Sequence, residues 1–133
     1  MLIYQNCYQL KSTKLHLDRI SKIFSKILPI YWAFLTYMLL RPSSETQDYW
    51  FLFTGIDKVI HLSIFLFLGF CFSCTFPKIR PIRYFQIMLL YALLTEILQD
   101  KMGLGRSLES LDLLADMVGV ALGYYLFRAT KAL

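Results

Sequence analysis

The sequence predicts an all-α membrane protein: a bundle of four transmembrane helices preceded by an amphipathic N-terminal helix. Three observations predict it. The 133 residues are 57% apolar and 17% aromatic, above the roughly 45–50% apolar content of an ordinary soluble domain. The excess is gathered into four runs, at about 27–40, 59–76, 84–98 and 111–127. Lysines and arginines cluster on alternate sides of those runs, the pattern that orients a multi-pass protein.

The elements follow in order. Within 13–27, Leu17, Ile20, Phe24 and Ile27 recur at helical spacing with lysines opposite. This reads as an amphipathic helix on the inner membrane surface, with a disordered basic tail as the plain alternative. The chain therefore divides into a cytoplasmic segment, 1–26, and a membrane domain, 27–133. A bilayer core of about 30 Å needs roughly 17–25 helical residues. The first run reaches that length only by starting near Ile23 and letting Lys26 extend back to the surface. The second and fourth runs are long enough, and the third is if it extends from Ile82 to Gln99. Thr54 can cap the second helix with Asp57 in its first turn, and Ser110 can cap the fourth. Pro29, Pro42, Pro77 and Pro81 are expected at or near span ends, where a missing N–H does least harm. Cys71 and Cys74 form a CxxC inside a span with no second ligand pair, so they read as small packing residues.

Charge gives the orientation. Lys11, Lys14, Arg19, Lys22 and Lys26 precede the first run, Lys78, Arg80 and Arg83 separate the second and third, and Arg128 and Lys131 follow the fourth. Lys and Arg near span ends favour the cytoplasm. Both termini and the 77–81 loop are thus expected inside, and 41–57 and 100–110 outside. The net charge of +5 reflects this orientation. No base-reading motif accompanies it, and nucleic acid is not an expected partner.

The unusual polar residues come from separate spans and share one depth. "DKVIH" carries Asp57, Lys58 and His61 into the second span. "TEILQ" places Glu96 and Gln99 near the end of the third. In the fourth, Asp112, Asp116, Gly119 and Gly123 form one helical stripe, two carboxylates at its outer end and two glycines below for close helix contact. Arg106 can reach the same place from the preceding turn. The acids at 57, 96, 112 and 116 outnumber Lys58 and Arg106 by two charges. Clustered carboxylates cannot all ionise cheaply in a poorly hydrated niche. The imbalance has to be met by protonated His61, by a proton kept on a carboxylate, by a cation, or by a ligand's positive group.

In this order, "DKVIH", "TEILQ" and "GRSLESLDLLADMVG" with the later Gly123 resemble the VanZ-like family of small bacterial membrane proteins, over about residues 50–127. Where that family commonly has Asn in D-x-x-x-N-x-x-G, this chain has Asp116. The resemblance implies an integral protein of the bacterial cytoplasmic membrane, related to an accessory protein of teicoplanin resistance, and assigns no reaction.

Three functions compete. The first is a binding site for a lipid-linked envelope head group or an amphiphilic glycopeptide, built from Asp57, Lys58, His61, Glu96, Gln99, Arg106, Asp112 and Asp116. The second is a membrane-embedded hydrolase or transferase. His61, Asp57, Glu96 and Asp112 are its candidates for catalysis and for a divalent metal, since hard cations take carboxylates and imidazole suits zinc. The third is a polar network that only locks helices together. A proton-coupled transporter ranks last, because four short helices leave little room for alternating access.

Overall fold

The computed structural model describes the backbone of residues 2–40, 56–102 and 110–132, and the side chains of 15–40, 58–102 and 110–131. These form four helices and, among the described residues, no strand: α1 Leu2–Leu39, α2 Ile56–Thr75, α3 Pro81–Lys101 and α4 Ser110–Ala132. Among the described residues, three stretches are long and apolar enough to cross a membrane, Lys58–Thr75, Pro81–Lys101 and Ser110–Lys131. Their outward residues are apolar too. Leu90, Leu94, Leu111, Leu114, Tyr125 and Leu126 are all exposed, a surface suited to lipid rather than water. Arg80 stands at the N-cap of α3 with Pro81 as the first helical residue, where a missing N–H costs nothing.

α1 differs from expectation. It passes residue 26 without interruption, and Pro29 lies inside it rather than near its end. Phe24, on the expected amphipathic stripe, turns toward α2 and meets Phe70 edge-on at 6.1 Å. The stripe continues through Leu28, Leu35 and Leu39, all buried, so the 3.6-residue period serves helix packing here. Ser21 Oγ donates to the carbonyl of Thr75 at 2.8 Å, satisfying a carbonyl that the end of α2 leaves without an intrahelical donor. Further along, Tyr31 OH donates to the Ile64 carbonyl at 2.9 Å. α1 therefore runs antiparallel along α2 from one end to the other.

The most extensive interface joins α2 to α4. The two run parallel, and glycine is the reason they approach so closely. A Cβ on Gly119 would strike the Leu62 carbonyl and lie 2.9 Å from the Leu66 nitrogen. One on Gly123 would strike the Leu66 carbonyl and lie 2.7 Å from the Phe70 nitrogen. Backbone meets backbone at both positions, as in small-residue crossings of membrane helices. From the other side, Gly69 makes room for Tyr84, whose hydroxyl donates to the Val120 carbonyl at 2.9 Å. Tyr84 thereby ties α3 to the α2–α4 pair. Phe65, Leu68, Met88, Ala92 and Val120 fill the interior around it. Cys71 and Cys74 are buried free thiols, as expected of packing residues.

Candidate functional site

The parallel run of α2 and α4 acts as a ladder. Residues one turn apart on α2 meet residues one turn apart on α4, so the polar positions pair in sequence order. Lys58 Nζ lies 3.3 Å from Asp112 Oδ1. One turn deeper, His61 Nδ1 lies 2.9 Å from Asp116 Oδ1. With Asp116 ionised, that contact places the imidazole proton on Nδ1, donating to the carboxylate.

α3 runs antiparallel to both and brings its C-terminal turns to the same end. Glu96 is buried there, and donor atoms of His61, Glu96 and Asp116 all lie within 4.8 Å of one another. The relative exposures are 2% for His61, 3% for Glu96 and 0% for Asp116. Three helices therefore deliver an imidazole and two carboxylates to one point shielded from solvent. Lys58 sits at the rim, its side chain 35% exposed, while that of Asp112 is 10% exposed.

Gln99 has a separate task. Its Nε2 donates to the Leu39 carbonyl at 2.7 Å. Leu39 is the last residue of α1, where carbonyls run out of intrahelical donors, and the Gln99 amide supplies one. Thr36 Oγ1, hydrogen-bonded to Tyr91 OH at 2.9 Å, adds a second α1–α3 tie. These two bonds tie the end of α1 to α3.

Beside it, a cleft of about 260 Å³ opens between α1 and α2. Tyr31, Phe34, Leu35, Met38, Leu39, Ile60 and Ile64 line it, and His61 is its one imidazole. His61 is therefore shared by an apolar cleft and a buried charged cluster.

Of the eight expected site residues, Lys58, His61, Glu96, Asp112 and Asp116 converge, in two layers. Gln99 closes on α1 instead. The backbone of Asp57 belongs to the first turn of α2, while its side chain, all of Arg106, and Thr54 lie outside the described residues. The expected catalytic and metal set was His61, Asp57, Glu96 and Asp112. In the structure Asp116 joins His61 and Glu96, and Asp112 pairs with Lys58 one turn nearer the rim. The cleft-lining residues of α1 carried no sequence motif. Only their position at the end of a helix packed along α2 brings them to His61.

The VanZ/LLP1 family model matches residues 6–131. No curated protein and no solved structure matches the chain.

Proposed function

This chain belongs to the VanZ/LLP1 family, and we propose that it is an envelope membrane protein that binds an amphiphile, with the apolar part in the α1–α2 cleft and the polar head against His61. The observation that carries this reading is the cleft itself: apolar and aromatic walls, with His61 leading to buried Glu96 and Asp116. A head group reaching His61 meets carboxylates that accept hydrogen bonds from amines and hydroxyls. Lys58 and Arg106 favour phosphate or carboxylate oxygens. A lipid-linked cell-wall head group or an amphiphilic glycopeptide offers that combination, which connects the reading to antibiotic resistance.

In this reading α1 supplies a fourth crossing. Its residues 21–39 follow α2, itself apolar enough to span, from Thr75 to the cleft. Lys22 and Lys26 lower its hydropathy, and both are exposed at the end where long basic side chains reach back to the interface. Lys78, Arg80, Arg83, Arg128 and Lys131 are exposed at that same end. The excess of basic residues favours a cytoplasmic position for it and for both termini. The polar cluster then faces the exterior of a bacterial cytoplasmic membrane.

Native mass spectrometry of detergent-purified protein tests the reading, with lipid-linked cell-wall precursor and teicoplanin as probes. Ile60, 49% exposed, lines the cleft without belonging to the charged cluster. Wild type should retain at least one probe, and Ile60→Trp and His61→Ala should both lose it while remaining helical by circular dichroism. Full retention by Ile60→Trp, or no probe bound by wild type, rules the reading out.

A further inference from the structure

We propose that His61, Glu96 and Asp116 form a binding site for one divalent transition-metal ion, Zn²⁺ or Mn²⁺. The geometry comes first. Ligands sharing an ion with bonds of about 2.0–2.2 Å sit roughly 3–3.5 Å from each other. His61 Nδ1 and Asp116 Oδ1 are 2.9 Å apart, and the Glu96 oxygen lies within 4.8 Å of both. Binding one ion requires the Glu96 carboxylate to close on the other two ligands.

Electrostatics points the same way. Two carboxylates and an imidazole lie together at exposures of 0–3%. Carboxylates with so little access to water favour a cation as ligand partner. On binding, the ion takes the place of the Nδ1 proton between His61 and Asp116; a neutral imidazole moves that proton to Nε2, and only a charged one releases it.

The donor set selects the class of ion. One nitrogen and two carboxylate oxygens suit Zn²⁺ and Mn²⁺, and the absence of a thiolate from the trio argues against a soft-metal site. Three protein ligands leave a coordination position for water or a ligand oxygen, as in reactive rather than purely structural zinc sites. Rigidity supports the assignment. Each ligand stands on a helix, with Gly119 locking α4 to α2 one turn below Asp116, and Gln99 anchoring α3 three residues beyond Glu96.

The inference stands independently of the amphiphile, because the metals alone test it. Chelator-stripped, detergent-purified full-length protein is titrated with Zn²⁺ and with Mn²⁺, reading stoichiometry by elemental analysis and the unfolding midpoint by circular dichroism. Wild type should bind one ion per chain, and its midpoint should rise with metal concentration. The near-isosteric Glu96→Gln and Asp116→Asn should each lower metal affinity by about 100-fold or more, at or beyond the upper end of losses seen for outer-shell partners. Asp112→Asn, one turn away and paired with Lys58, should keep wild-type affinity. If wild type shows no bound ion and no midpoint shift with either metal, the site does not exist, whatever the variants do. Equal loss in Asp112→Asn and Glu96→Gln overturns the assignment of ligands.

Discussion

Asp116 is the residue on which the polar end turns. It has no solvent exposure and holds His61 at 2.9 Å. Asp116→Leu should cost about 1–3 kcal/mol, because it strands buried polar groups that had been arranged around a carboxylate. Reversible unfolding in mixed micelles measures it, and an unchanged midpoint would show that water fills the cluster. Lys58 offers the opposite case. Its side chain is 35% exposed, so its ion pair with Asp112 is worth at most about 1 kcal/mol. Lys58→Ala should leave unfolding nearly unchanged, and its effect should appear in binding of an anionic head group. Tyr84 lies between these two. Buried completely and donating to Val120 across two helices, it should lose about 0.5–1.5 kcal/mol on conversion to Phe.

Among the elements, the α2–α4 pair governs the arrangement. Gly119→Ala and Gly123→Ala push a methyl group into the backbone of α2, so the helices must separate. Each should cost about 1–3 kcal/mol, the usual scale of overpacking. Gly119→Ala should also lengthen the His61–Asp116 contact one turn above, which the metal affinity of the folded variant would register. The α1–α3 tie has its own signature. Gln99→Leu removes the donor to the Leu39 carbonyl. Amide exchange at the end of α1 should then accelerate while that of α4 stays as in wild type. Equal protection in both proteins would mean that the end of α1 is held without the Gln99 bond, by contacts such as Thr36–Tyr91. The extended course of α1 was only partly legible in the sequence. Its leucine and phenylalanine period was plain, but an amphipathic stripe looks the same whether it faces lipid head groups or a neighbouring helix. Phe24 meets Phe70 of α2, while Ile27 of the same stripe stays exposed.

For the whole molecule, charge asymmetry and the polar cluster lie at opposite ends. Ser21, Thr75 and the exposed Lys22, Lys26, Lys78, Arg80, Arg83, Arg128 and Lys131 share one end, and Lys58, His61, Glu96 and Asp112 share the other. Reporter fusions should therefore put both termini in the cytoplasm, and cysteines introduced at 45 and 106 should react with an impermeant thiol reagent from outside. Labelling only after permeabilisation would invert the orientation and move the proposed head-group site to the inner leaflet. The chain's own residues were enough to establish the class of protein. Long apolar helices, basic residues at alternate ends, and acids and an imidazole set just inside three spans are local properties, each readable within one helix. Which acid meets His61 was not local. Asp112 and Asp116 occupy the same stripe of α4, one turn apart, and sliding α4 by about 5.4 Å would exchange them. That register is set by Gly119 and Gly123 seated against the backbone of α2. Close packing between helices distant in sequence gives Asp116 to His61 and leaves Asp112 to Lys58.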